Sequence, residues 1–267
     1  MACLEDEILQ HLLQSPTRVT FHGLQKRFPL QKAGPMKKAV AKLVRCGRVG
    51  YSYEFGNSYL SLPVERPVLV SENVVLKPPN VAYDAAPDQA VVSLGRGSAF
   101  GLGDHPTTRL AIRLLDRLFV ARRGQNTSVP PVTLDIGTGS GVLAIVAAKL
   151  GADSVASIDT DPCAVFEARA NVRLNNLEDR IVVRRNLDAF ENKRFDLFLA
   201  NLRTPTLLTL LPRIRKMAAT ECGLVFSGFQ VEEADQIRKR YEHAGFTPLK
   251  TCLEKNWCAL SLARGDF

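Results

Sequence analysis

Residues 133–141 read TLDIGTGSG, an apolar run that breaks into glycine at alternate positions, Gly137, Gly139 and Gly141. The pattern predicts a strand over Val132–Ile136 that turns directly into a helix from about Ser140. Glycine at such a turn admits positive φ and lets the backbone approach a ligand closely. The first amides of the helix have no intrahelical acceptor and suit an anion. The next strand, VASID, ends on Asp159, 22 residues beyond Gly137 (159 − 137 = 22). A carboxylate at that edge can accept bonds from both hydroxyls of a ribose, so the two features together predict a nucleoside-binding crevice.

The pattern continues on both sides of this turn. Helices are predicted over Thr107–Ala121, Ser140–Leu150 and Pro162–Asn175, and over about 204–217 and 230–244. Strands are predicted at Val155–Ile158, Ile181–Arg184, Phe195–Ala200 and Leu224–Ser227, with Thr247–Cys252 and Trp257–Ala263 as a closing antiparallel pair. Strands alternating with helices argue for an α/β fold with a mostly parallel sheet wound on both faces. With Val132–Ile136 that sheet has seven strands.

The N-terminal part reads differently. LEDEILQHLLQ, residues 4–14, places Leu4, Ile8, Leu9, Leu12 and Leu13 on one helical face. Ser15-Pro16 stops that helix, Phe21–Phe28 forms a second, and residues 35–46 form a third that begins on Pro35 and is capped by Gly47. RVGYSYEF and SYLSL alternate as strands across Gly56-Asn57. Three helices and a hairpin is the order of a winged helix-turn-helix domain. The expected organisation is a winged-helix-like domain over residues 1–66, a linker with a strand entering the next domain over 67–79, and the α/β domain over 80–267. Pro63, Pro67, Pro78 and Pro79 mark the linker.

Charge is uneven. The chain of 267 residues carries a net +8, and residues 1–67 hold ten Lys/Arg against five Asp/Glu. Nine basic residues and no acidic one fall between Arg18 and Arg48. Such a block favours a nucleic-acid partner or forms a solvated basic face. Apolar content of 46% with charged content of 23% excludes global disorder. No apolar run approaches the roughly 20 residues of a membrane span, and the acidic N-terminus is not a secretory signal. The six cysteines lack zinc-site spacing and read as reduced thiols of a cytoplasmic protein, with no metal site.

Glycine spacing discriminates between cofactors. Dinucleotide sites favour G-x-G-x-x-G, whereas this chain reads D-x-G-x-G-x-G from Asp135. That form resembles motif I of class I S-adenosylmethionine (SAM)-dependent methyltransferases. AFGLGDHPTT (99–108), LDIGTGSGVLAI, SIDTDP and FDLFLANL (195–202), in this order, resemble the ribosomal protein L-eleven methyltransferase (PrmA-type) family over about residues 74–267. The resemblance implies a Rossmann-like methyltransferase domain, SAM as cofactor, and a protein amine, lysine or N-terminal, as methyl acceptor.

It also implies roles by position. Thr107 and Thr108 would meet SAM at the mouth of the site, and Phe100 would cover it. Asp135, Gly137 and Gly139 would hold the methionine moiety. Asp159 and Thr160 would take the ribose, and Asn186 or Leu187 would border the adenine. Asn201, the catalytic candidate, would lie beside the transferred methyl, its side-chain carbonyl accepting a bond from the attacking amine. Asp104 and His105 are candidate bases, although His105 reads equally as a loop-fixing residue.

Three departures bear on the substrate. The family begins with a small α/β domain where this chain has its basic helices. Residues 201–205 read NLRTP, with Arg203 and Thr204 where the family is more apolar, and Gly95-Arg96-Gly97 replaces a family Asp-Pro-Gly run. The alternatives are an RNA methyltransferase gripping rRNA or tRNA with its basic domain, a SAM-sensing DNA-binding regulator, and an enzyme whose winged helix only dimerises it. Trp257 is expected in the sheet core. Tyr51, Tyr53 and Tyr59 read as packing of the hairpin, and DQIRKRYEH (235–243) as a solvated helix face.

Overall fold

The computed structural model describes residues 3–15, 19–46, 48–54, 57–61, 67–95, 105–124 and 129–267. Gly47, Gly56, Phe100 and Asp104, singled out above, lie outside them, as does the side chain of Tyr53. The chain divides into two compact units, with the change at residues 65–66.

The first unit holds α1 (Leu4–Gln14), β1 (Val19–Thr20), α2 (Phe21–Arg27), α3 (Ala33–Arg45), β2 (Gly50–Glu54) and β3 (Asn57–Ser61). The hydroxyl of Thr20 accepts the Gly23 amide at 2.9 Å and so caps α2. β2 and β3 form the expected antiparallel hairpin, and β1 adds a third strand through Val19↔Leu60. Ile8, Leu24, Met36, Val40, Leu43 and Leu60 form the core. Their spacing on α3, with Met36, Val40 and Leu43 inward, is the period of a half-buried helix. Tyr51 stays 41% exposed, so it does not contribute to that core.

The second unit opens with a small sheet of β4 (Val68–Ser71), β5 (Val74–Lys77) and β6 (Ala90–Ser93). Residues 67–79 therefore hold two paired strands and belong to this unit, not to a linker with one strand. Their prolines bracket the strands instead of interrupting them.

After α4 (Pro106–Gly124), the chain runs β7 (Val132–Ile136), α5 (Val142–Leu150), β8 (Ser154–Ile158), α6 (Pro162–Leu174), β9 (Ile181–Arg184), β10 (Phe195–Asn201), α7 (Thr204–Met217), β11 (Ala218–Gln230), α8 (Ala234–Glu242), β12 (Thr247–Glu254) and β13 (Trp257–Arg264). The seven-stranded sheet has the order β12-β13-β11-β10-β7-β8-β9. Five strands are parallel, and β12 and β13 close the edge antiparallel, as expected. Strand alternation sorts the core into two layers. Leu197 and Leu199 join α4, α5 and α6 on one face. Phe198 and Ala200 join α7 and α8 on the other.

The chain starts this sheet at its middle, winds outward through β8 and β9, and returns to β10 on the far side of β7. The strand order thus reverses between β7 and β10, and ligands of open α/β sheets bind in the crevice at the carboxyl ends of such a pair.

Candidate active site

Three connections meet at that crevice. The first is the glycine turn after β7. The amides of Gly137 and Thr138 both donate to the carbonyl of Ile158 at 2.9 Å, which pins the turn to β8. Gly137, Gly139 and Gly141 all have positive φ, at 73°, 55° and 83°. At Gly137 a Cβ would lie 2.5 Å from Leu202 Cδ2, an end that can shift, so the positive φ is what favours glycine there. The helix begins at Val142, two residues later than expected, because Gly141 is still left-handed.

The second connection carries Asp159. Its Oδ2 accepts the Gly139 amide at 2.9 Å and its Oδ1 the Asp161 amide at 3.0 Å. The carboxylate is half-buried and Thr160 beside it is exposed. Asp161 caps α6 by accepting the Cys163 amide at 2.8 Å. Beyond β9, Asn186 is exposed while the Leu187 side chain is 4% exposed and packs in the core, so only its backbone can border a ligand.

The third is the end of β10. Asn201 closes that strand opposite Ser227 of β11. Its Nδ2 makes a long contact, 3.5 Å, to the Thr108 hydroxyl in the first turn of α4. Its Oδ1 is buried and has no hydrogen-bond partner among the described residues. The hydroxyl of Thr204, at the start of α7, is in the same condition. The hydroxyls of Ser71 and Ser157 and Asp135 Oδ1 are also without partners among the described residues. A buried acceptor so left carries a desolvation cost, and at Asn201 its position on the carboxyl edge of β10 makes it a place for a ligand donor.

Asp135 lies beneath the turn, 1% exposed, and accepts the Thr138 hydroxyl at 2.6 Å. Burial pushes its carboxyl up from 3.8 to about 7, against the lowering effect of Thr138. It is thus a buried carboxyl that titrates near neutrality.

His105 is buried, with Nδ1 2.6 Å from the Thr107 hydroxyl and accepting the Thr107 amide at 3.3 Å. Its ring meets Trp257 edge-on at 5.0 Å. These contacts fix the start of α4, the loop-fixing role. Trp257 is only partly buried and packs on this histidine at the end of the sheet. Glu254 of β12 holds α4 from the same side through Arg109 and, at 2.9 Å, Arg113. Burial raises the Glu254 carboxyl, but the two guanidinium groups outweigh it and hold the group below its usual range.

Two residues with no signal in the sequence pattern complete the frame. Asn171 lies in the last turn of α6 and Asn175 at its C-cap, 4% and 9% exposed. Asn171 donates to the Ser140 carbonyl and accepts the Gly95 amide, both at 2.8 Å. Asn175 accepts the Ser93 amide at 2.9 Å and donates to the Ser93 carbonyl at 2.7 Å. The end of β6 is thereby fastened to the glycine turn. Among the described residues there is no group of His, Cys, Asp and Glu placed to hold a metal, and no helix is long and apolar enough to cross a membrane.

The family model described as "Ribosomal protein L11 methyltransferase (PrmA)" matches residues 64–265. The ribosomal protein L11 methyltransferase of Geotalea daltonii is 34% identical over 200 residues, 74% of this chain and 64% of that protein. That of Bacillus cereus is 38% identical over 198 residues, 73% of this chain and 60% of that protein. The chain thus spans about three fifths of the length of these curated relatives. The crystal structure of a ribosomal protein L11 methylase from Lactobacillus delbrueckii subsp. bulgaricus superposes with a TM-score of 0.64 at 29% identity, covering 74% of this chain and 98% of that one. The match takes in β4 to β13 with every site residue described above, and on that extent the chain belongs to the ribosomal protein L11 methyltransferase (PrmA) family.

Proposed function

We propose that the protein is a SAM-dependent methyltransferase that transfers a methyl group to an amine of a protein substrate, a ribosomal protein as in its relatives. The observation that carries this reading is the buried, unpartnered Oδ1 of Asn201 at the carboxyl edge of the switch-point strand. The residues present fit the cofactor: the glycine turn holds its backbone at positive φ beside the crevice, and Asp159 still has lone pairs for hydroxyl donors. When bound, SAM supplies a sulfonium methyl group.

The chain's own residues bind and orient. Gly137 and Gly139 present backbone at the turn, and Asp159 takes the ribose hydroxyls. Thr107, Thr108 and Asp135 border the methionine end, Thr160 the ribose, and the backbone at Asn186 and Leu187 the adenine. Asn201 Oδ1 accepts one N–H of the acceptor amine and aims its lone pair. With SAM bound, transfer would form the nitrogen–carbon bond as the carbon–sulfur bond breaks, and the positioning that these residues provide would supply much of the acceleration. An ammonium has no lone pair, so the amine sheds a proton to water before attack. His105, already engaged with Thr107, serves as a fixture of the loop.

We assign the first unit the role of a winged-helix-like module that binds the substrate or its surroundings, in a cytoplasmic enzyme whose six cysteines are free thiols. A second reading makes RNA the acceptor, favoured by the basic block at residues 18–48. Isothermal titration with SAM and S-adenosylhomocysteine tests the donor: absence of binding at high micromolar concentration discards both readings. Transfer of radiolabelled methyl into a cell extract, followed by protease or nuclease digestion, then separates protein from RNA.

A further inference from the structure

We infer that the α2–α3 face of the first unit is a docking surface for double-helical RNA, gripped through its phosphates as an address and not as the methyl acceptor. The choice of RNA rests on the ribosomal reading above; the surface itself does not.

Every described Lys and Arg between residues 19 and 48 is exposed. Two are engaged by acids of α1: Lys42 with Glu5 at 3.0 Å and Arg48 with Asp6 at 3.6 Å. The other six, Lys26, Arg27, Lys32, Lys37, Lys38 and Arg45, have no ion-pair partner among the described residues. No carboxylate occurs in this stretch to neutralise them. Six like charges, five on two helices that share one core and Lys32 at the start of the second, repel one another, a cost that a polyanion offsets and that water and salt only screen.

The shape of α3 agrees with the charge. Met36, Ala39, Val40 and Leu43 face the core. Gly34, Lys38, Ala41 and Arg45 form the opposite ridge, and a Cβ on Gly34 would meet nothing within 4 Å. Lys38 and Arg45 are two turns apart, about 10 Å along the axis, with Ala41 and the Glu5-paired Lys42 between them. Cations flanking small residues let the helix approach a phosphate row closely. Lys38 and Arg45 could read guanine edges in a DNA major groove, but the major groove of an RNA duplex is too deep and narrow for side chains, so there they contact phosphates. Recognition by backbone and shape is how double-stranded RNA is held.

The test is fluorescence anisotropy of the full chain on a labelled RNA duplex of roughly 16–20 base pairs, as salt rises from about 50 to 200 mM. Binding is expected to weaken steeply, by about 0.9 in log Kd per log salt for each phosphate contact. Lys37→Glu/Lys38→Glu/Arg45→Glu is expected to weaken binding at least tenfold. Arg215→Glu/Lys239→Glu/Arg240→Glu makes the same charge change on exposed residues of the second unit and should stay within about twofold. Lys38→Gln alone, a change too mild to unfold a surface helix, should lower the salt slope by about 0.9. Equal losses in both triple variants, an unchanged slope in Lys38→Gln, equal affinity for a DNA duplex of the same sequence, or no RNA binding by the wild type each overturn the proposal. Titration of S-adenosylhomocysteine into the same samples reads the cofactor site separately, so failure of the docking surface and failure of the methyltransferase reading are told apart.

Discussion

The Gly139 amide donates to Asp159 Oδ2 at 2.9 Å, so the glycine turn and the carboxylate at the end of β8 are one rigid unit. Asp161 bonds the other oxygen of the same carboxylate, leaving the group little freedom to turn. Substituting Asp159 therefore has two consequences: loss of the acceptor for ribose hydroxyls and release of the Gly139 backbone. Asp159→Ala is expected to weaken S-adenosylhomocysteine binding by about 1–3 kcal/mol, roughly five- to 150-fold, as read by titration calorimetry. Unchanged affinity would remove Asp159 from the cofactor site.

Asn201 gives the opposite balance between stability and function. Its Oδ1 is buried without a partner, so the folded state bears its desolvation without a compensating bond. Asn201→Leu, of similar shape, is expected to retain or raise the melting temperature. The same change should lower kcat at least a hundredfold, with cofactor affinity within about threefold, because the acceptor amine loses its partner while the Thr108 hydroxyl loses only a long contact of 3.5 Å. A lowered melting temperature together with full activity would assign Asn201 to structure alone.

The buried Asp135 makes stability depend on pH with a definite sign. Its carboxyl is raised from 3.8 to about 7, so the folded chain retains a proton that the unfolded chain has released across that interval. The stabilisation from the neutral carboxyl is complete below the unfolded value and is lost as pH rises through the folded one. Between pH 5 and 8 the loss is roughly 3 kcal/mol at 1.36 kcal/mol per pH unit. Asp135→Asn should flatten that slope in urea unfolding curves at several pH values. Parallel slopes in wild type and variant would mean that Asp135 stays ionised.

Local signals were legible in the sequence, and long-range ones were not. The strand–glycine–helix turn at 133–142 announces itself because strand period, turn glycines and helix start are all set within ten residues. Asn201 was legible from the family resemblance carried by FDLFLANL and from its place at the end of that apolar strand. Strand β1, two residues long, has no period to detect, and β4 to β6 are four-residue strands among prolines. Thr204 stood out in the sequence only as a departure from the family pattern, and its unpartnered hydroxyl appears only in three dimensions. Asn171 meets Gly95 across 76 residues of sequence, so nothing near it in the chain reveals what it holds.

That long-range bond leads to the last expectation. Asn171 joins two parts of the site, with the Ser140 carbonyl on its donor side and the Gly95 amide on its acceptor side. Asn175 backs it by closing both backbone groups of Ser93. Asn171→Ala removes two buried bonds and strands a donor and an acceptor, at a cost of roughly 2–4 kcal/mol in urea unfolding. Asn171→Asp keeps the acceptor for Gly95 but loses the donor to Ser140, so its cost should come from the glycine turn. Because that turn presents its backbone to the cofactor, Asn171→Asp should weaken S-adenosylhomocysteine binding even where the protein remains folded. If Asn171→Asp destabilises the fold yet binds the cofactor as the wild type does, the Asn171 bond to Ser140 holds α6 in place without shaping the turn.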